Sequence, residues 1–234
     1  MNRDFLVDAL TDLGIAKGFH VELLEKYYER VTEKNKVMNL TSITGEREFV
    51  IKHICDSAAP LLFLDLRNKK CIDVGTGGGF PGIPLRIIEG SLSMDYVESV
   101  GKKADFVAQT AEELGLGGRV YVKRAEDMGR DKTARESYDA VFARAVSGLN
   151  VLAEYCTPLL KPGGILAAYK GPDPKEEIDG AHAALDELHC RMDRLCEYEL
   201  PYTDIKHTLV VIKKHGSTPA DYPRPTAKIK RRPL

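Results

Sequence analysis

The stretch CIDVGTGGGFPG, residues 71–82, constrains this chain more than any other part of it. Cys71, Ile72, Asp73 and Val74 read as a short buried strand, and Gly75, Thr76, Gly77, Gly78 and Gly79 follow as a turn before helical spacing resumes around Pro84. Glycine tolerates positive φ and lets a ligand approach the backbone closely, while the first N–H groups of the helix that follows have no intrahelical partner. A strand, a glycine turn and a helix in that order mark the place in an open α/β sheet where a nucleotide-like cofactor sits. The feature therefore predicts a sheet layered with helices and a small-molecule site around Asp73, Gly75 and Gly77.

The rest of the chain agrees with that architecture. In the N-terminal part the apolar spacing is helical: Phe5, Leu6, Ala9, Leu10 and Leu13 make one stripe, and Val21, Leu24, Tyr28 and Val31 make another. A third helix is expected over residues 46–63, with Thr44 as N-cap and Phe49, Ile51, Ile54, Cys55, Ala58 and Leu62 turned inward. From Lys70 the period changes. Strands at 71–74, 94–98, 120–123, 138–143 and 165–170 alternate with helices near 84–88 and over 102–114 and 149–160, the pattern of a parallel sheet covered on both faces. A helix over 174–188 and two strand-like runs, 194–200 and 207–213, complete the chain, the two runs forming an antiparallel pair at one edge. The expected fold class is α/β: a Rossmann-like, seven-stranded, mostly parallel sheet with an antiparallel edge strand and an N-terminal helical cap. Residues 1–66 are expected as the cap, 67–215 as the cofactor-binding domain and 216–234 as an irregular basic tail.

Composition excludes several classes. No run of about 18 apolar residues is present to span a membrane, and the start lacks the basic and apolar regions of a signal peptide. Cys55, Cys71, Cys156, Cys190 and Cys196 are dispersed without a CxxC pair, which argues against a disulfide framework or a zinc site. A cytoplasmic, metal-free protein is the expectation. The formal net charge of -1 conceals an uneven distribution: from residue 206 onward Lys206, Lys213, Lys214, Arg224, Lys228, Lys230, Arg231 and Arg232 face only one acid, Asp221. Such an end suits a polyanionic partner, or it is a solvated tail.

Ligands of open α/β sheets bind at the carboxyl ends of the strands. Glu98 ends the second predicted strand, where a carboxylate takes ribose hydroxyls; Ala125 and Glu126 follow the third, where an adenine would lie; Arg144 ends the fourth. With Gly75 they converge on one crevice. The glycines fall on alternate residues with Phe80 beyond them, so the GxGxxG spacing of a nicotinamide site is not cleanly met. The turn alone leaves hydride and methyl transfer both open.

Several motifs together carry a resemblance: NKVMNLTSI (35–43), HICDS (53–57), DVGTGGGFPGIPL (73–85), VESVGKKADF (97–106), RAED (124–127), YDAVFARAV (138–146), YKG (169–171) and YPRPTAKIKRRPL (222–234). In these the chain resembles the bacterial small-subunit rRNA methyltransferase G family, also called glucose-inhibited division protein B, whose members are class I S-adenosylmethionine-dependent methyltransferases. The resemblance implies S-adenosylmethionine as cofactor, with Gly75, Phe80, Ala125, Glu126 and Arg144 contacting it. It also implies a substrate: N7 of a guanine in the decoding-region loop of 16S rRNA. Naked rRNA, a 30S subunit and an assembly intermediate are all open as the form presented, and the enzyme is expected as a monomer. Glu98 stands where an Asp is frequent in the family, so the carboxylate is kept and its reach altered.

Guanine N7 carries a lone pair and no proton, so transfer to it needs alignment more than a base, from an unpaired or displaced nucleotide. No Asn-Pro-Pro-Tyr signature for exocyclic amines is present, and Cys156 reads as a small core thiol. Arginine bound bidentately to guanine would occupy N7; Arg144 is therefore expected to hold the cofactor's carboxylate or support its pocket. His53 receives no catalytic role. Lys34, Lys36, Lys170, Arg224, Lys228, Lys230, Arg231 and Arg232 are candidate phosphate contacts. The rival readings are a methyltransferase for another RNA position or a small molecule, a ribosome-binding protein with a vestigial cofactor site, and a nicotinamide-dependent oxidoreductase.

Overall fold

The computed structural model describes residues 1–16 and 18–234. Seven strands form one sheet: β1 (Lys70–Val74), β2 (Ser93–Glu98), β3 (Val120–Val122), β4 (Tyr138–Arg144), β5 (Leu160–Lys170), β6 (Cys190–Glu199) and β7 (Lys206–Lys214). Their order is β3-β2-β1-β4-β5-β7-β6, with β1 to β5 parallel and β7 antiparallel to both β5 and β6. The reversed strand thus lies one position in from the edge, between β5 and the outermost β6. The order reverses between β1 and β4, and a crevice opens there at the strands' carboxyl ends.

Side chains alternate across the pleat, so each strand feeds two apolar layers. Ala140 and Phe142 of β4 and Leu209 and Val211 of β7 face the N-terminal helices, packing with Leu10, Leu24, Phe49 and Ile54. Val141 and Ala143 of β4 and Val210 and Ile212 of β7 face the other side, with Leu152, Leu185 and Ile229. The helical cap therefore shares its core with one face of the sheet.

The cap contains helices Arg3–Asp12 and Val21–Asn35 and a helical run over residues 46–62. Asn2 caps the first, its side chain accepting from Phe5 N at 3.0 Å. In the third, Gly45 and not Thr44 is the cap residue, and it makes no side-chain capping bond; a widened π-type stretch, Val50–Cys55, follows Glu46–Phe49. Two other expected helices are shorter. The one over 149–160 ends at Cys156, because Pro158 cannot continue the ladder, and β5 begins already at Leu160. The one over 174–188 is two helices, Lys175–Asp179 and His182–Glu187.

The segment 216–234 is not the irregular tail expected of it. It ends in a short helix, Thr226–Arg231, with Ile229 wholly buried against the sheet's second face. Among the described residues no helix is long and apolar enough to cross a membrane. All five cysteines are buried and free.

Candidate active site

Asp73 closes the glycine turn from within. Wholly buried near the end of β1, its Oδ2 accepts from Thr76 Oγ1 at 2.6 Å and from Gly82 N at 2.9 Å. Burial pushes this carboxyl up to about 6, against the bonds from Thr76 and Gly82. Its Oδ1 has no partner among the described residues. Gly75, Gly77 and Gly79 have φ of 75°, 58° and 100°, which only glycine adopts cheaply. A side chain would not fit either: a Cβ on Gly75 would lie 2.9 Å from Val146 Cγ2. Glu98, at the end of β2, grips the turn from the other side. Its Oε2 accepts from Gly77 N at 3.0 Å and its Oε1 from Val100 N at 2.8 Å.

Beside this turn lies a cavity of about 340 Å³, lined by Gly75, Glu98, Ala125, Glu126, Val146 and Lys230 among others. Four expected site residues from three different strand ends thus meet in one place. Their chemistry fits a nucleoside: carboxylates for hydroxyl and amino groups, small Gly75 and Ala125 where a ring needs room, and apolar Val74, Val97 and Val151 beneath. Asp73 and Gly77 stand behind the lining and shape it. Phe80 does not line this cavity. Its ring stacks on His53 (centroids 4.1 Å apart) and meets Tyr27 and Phe49 edge-on, joining the turn to the helical cap.

A second cavity, of about 640 Å³, adjoins the first through Val146 and Ser147 and is lined by His53, Asp56, Arg144, Lys170, Glu177 and His207 among others. Arg144 belongs to this second space. Its guanidinium donates to Asp56 Oδ2 at 2.9 Å and to the Lys52 carbonyl at 3.2 Å, and it meets His53 Nδ1 at 3.1 Å. These bonds brace the wall of the second cavity, beside the Val146 and Ser147 that both cavities share.

Because Arg144 can only donate, His53 Nδ1 accepts, and the proton sits on Nε2, 2.7 Å from Thr41 Oγ1. Burial and the Arg144 charge lower this imidazole to about 3, so His53 is neutral at physiological pH. Asp56, which carries no signal of its own within the HICDS motif, is the hub: Oδ1 accepts from Tyr198 OH at 2.7 Å and from His207 Nδ1 at 2.8 Å. Burial raises its carboxyl, but the bond from His207 and the charge of Arg144 outweigh that and hold it below the usual carboxylate range. The one hint in the sequence is its place next to Ile54, Cys55 and Ala58, which read as the inward face of the helix, since a buried charge requires partners.

The candidate phosphate contacts divide. Lys228, Lys230, Arg231 and Arg232 are exposed. Arg224 is turned inward, its guanidinium bidentate on Glu154 at 2.8 and 2.6 Å, and so is not available at the surface. Lys170 is also engaged, with Ser147 O at 2.8 Å and Glu177 Oε2 at 2.5 Å, and Lys36 pairs with Glu33.

Solved structures share this architecture at low identity: an S-adenosylmethionine-dependent O-methyltransferase from Thermotoga maritima (17% identity, TM-score 0.51, covering 81% of this chain and 73% of that one) and the StiE O-methyltransferase region (16%, 0.58, 88% and 86%). A family profile described as "GidB: rRNA small subunit methyltransferase G" matches residues 20–200. Relatives that carry the name ribosomal RNA small subunit methyltransferase G include the following two. The protein from Pelotomaculum thermopropionicum is 45% identical over 92% of this chain and 90% of its own length; that from Thermoanaerobacter pseudethanolicus is 42% identical over 99% and 98%. Fold, cavity and relatives together define a Rossmann-like methyltransferase whose cofactor is S-adenosylmethionine. Within that class, the chain belongs to the rRNA small subunit methyltransferase G family.

Proposed function

We propose that this protein is a cytoplasmic, monomeric enzyme that methylates N7 of a guanine in the decoding-region loop of 16S rRNA, within the 30S subunit or a precursor of it. The observation that carries the reading is the pair of adjoining cavities, one lined like a nucleoside site and the other by Arg144, His53 and His207. Gly75, Glu98, Ala125 and Glu126 would hold the cofactor, which supplies a methyl group on a sulfonium. The target nitrogen offers a lone pair and no proton, so the residues need only position the base and exclude water. His53 and Arg144 suit that role, because both brace the second cavity and neither is free to take a proton. Arg144, held by Asp56, is kept from seizing N7 bidentately, the contact that would block attack.

The test is methylation of 16S rRNA, naked and within 30S particles, with labelled cofactor followed by aniline cleavage specific for N7-methylguanine. Cleavage at one decoding-region guanine is expected; label without cleavage would overturn the N7 assignment.

A second reading has one observation in its favour. His207 donates from Nδ1 to Asp56, which leaves Nε2 as a basic nitrogen beside the second cavity. Such a pair suits methylation at a position that must lose a proton. His207→Gln separates the two readings: the N7 reaction keeps most of its kcat, whereas base-assisted transfer loses roughly 100-fold or more.

A further inference from the structure

Segment 216–234 is held to the body by an arrangement more elaborate than a solvated tail requires. Arg224 donates to Glu154 through Nε at 2.8 Å, through a terminal nitrogen at 2.6 Å and through its backbone N at 2.8 Å. Arg135 donates to the carbonyls of Thr218 at 2.8 Å, Pro219 at 3.1 Å and Tyr222 at 2.7 Å. Ile229 is wholly buried among the apolar residues of helix Leu149–Cys156 and the sheet. A buried ion pair brings little net stability once desolvation is counted, but it fixes geometry. What it fixes here is the helix Thr226–Arg231.

Thr226 and Lys230 are four residues apart and so share one side of that helix; both line the first cavity, next to Val151 and Tyr155 of the neighbouring helix. The same cavity holds the largely buried carboxylates of Glu98 and Glu126. Of the lysines there, Lys123 is already spent on Asp131 at 2.6 Å, whereas Lys230 makes no ion pair among the described residues. A lysine has three donors and no acceptor, and a threonine hydroxyl can do either. These groups complement the acceptor-rich ring nitrogens and ribose oxygens of a nucleoside, and they balance the two carboxylates.

We propose that Thr226 and Lys230 are cofactor-contacting residues, and that the docked C-terminal segment is a wall of the S-adenosylmethionine site, separate from any role its other lysines and arginines have toward RNA. The inference rests on the reading of the first cavity as the cofactor site.

The test is calorimetric titration of S-adenosylhomocysteine into the full-length protein and into Glu98→Gln, Lys230→Ala and Thr226→Val. Thermal midpoints are recorded with and without ligand. Lys230→Ala is expected to weaken binding about fivefold, the size of one lost hydrogen bond. Its ligand-free midpoint stays unchanged and its ligand-induced rise shrinks. Thr226→Val should act in the same direction. Full affinity in both variants, with Glu98→Gln impaired, would overturn the inference and leave the cavity reading intact. No binding by the unaltered protein would overturn the cavity reading itself. A fall in the ligand-free midpoint that accounts for the whole affinity loss would make the segment a structural prop only, and would also sink the proposal.

Discussion

Arg144 and Asp56 meet 2.9 Å apart across the second cavity, one from the end of a central strand and the other from the helical cap. Both side chains are largely buried, at 15% and 5% exposure, so this contact ties the cap to the carboxyl end of the sheet's parallel strands. Four side chains depend on it directly or at one remove: His53, Tyr198, His207 and, through its 5.1 Å contact with the Arg144 guanidinium, Phe80.

Asp56→Ala leaves Arg144 buried without its counter-charge. Such a loss costs roughly 3–5 kcal/mol, and urea unfolding should show the midpoint falling with the slope unchanged. Asp56→Asn, which keeps one acceptor and the shape, should lose less. Equal stability of all three proteins would show that the ion pair is energetically idle.

His53 predicts a dependence on acidity. Its folded value of about 3 lies below the ordinary histidine value of 6.5, so the unfolded chain binds the extra proton between these limits and stability falls as pH drops below 6.5. Each pH unit within the window is worth up to about 1.4 kcal/mol. Asp73, raised to about 6 from 3.8, acts with the opposite sign: its contribution is full below 3.8 and is lost as pH rises through 6. The two partly cancel in the unaltered protein, so the variant is needed to see either. The stability advantage of the unaltered protein over His53→Gln should shrink by about 1.6 kcal/mol between pH 6.5 and pH 5. A difference that stays constant across that range would remove the buried neutral histidine from the account.

The strand ends are legible in the sequence because their causes are local. Gly75, Glu98, Ala125 and Glu126 each follow a short β-branched or apolar run, and a parallel sheet brings such positions to one edge whatever the remote contacts are. Phe80 and Arg144 escape such a reading for the complementary reason. Their side chains find partners in the cap, Phe80 on His53 and Arg144 on Asp56 at the wall of the second cavity, and nothing within a few residues of either reports those positions. Arg224 shows the same limit. In a run of basic residues it reads as surface charge, and only the fold brings it to Glu154, 70 positions away.

That pair yields a prediction of its own. Arg224→Ala strands the carboxylate of Glu154, whose side chain is 1% exposed, so stability should fall by roughly 3 kcal/mol. The released segment should also become a fast tryptic site at Lys228 and Lys230. Replacing both partners, with Glu154→Gln and Arg224→Met, should recover much of the loss, because an apolar or neutral pair avoids the unpaired charge. A single variant as stable and as protease-resistant as the parent would mean that the bidentate contact does not hold the segment.

Lys228, Arg231 and Arg232 are exposed and do not line the first cavity, and they are the fair test of the segment's affinity for RNA. Removing the cation that neutralises one phosphate of a single-stranded target lowers the slope of log K against log salt by about 0.7. Replacing all three by Ala should therefore flatten the slope for 16S rRNA binding by roughly 2 if every one meets a phosphate, and leave affinity for S-adenosylhomocysteine unchanged. Lys230→Ala should show the reverse pattern, with weaker cofactor binding and little change in the salt slope, because Lys230 lines the cavity. Filter binding between about 50 and 200 mM salt, beside calorimetry on the same preparations, separates the two sets. If Lys230 behaved like its three neighbours in both measurements, the segment would be one basic surface with a single role.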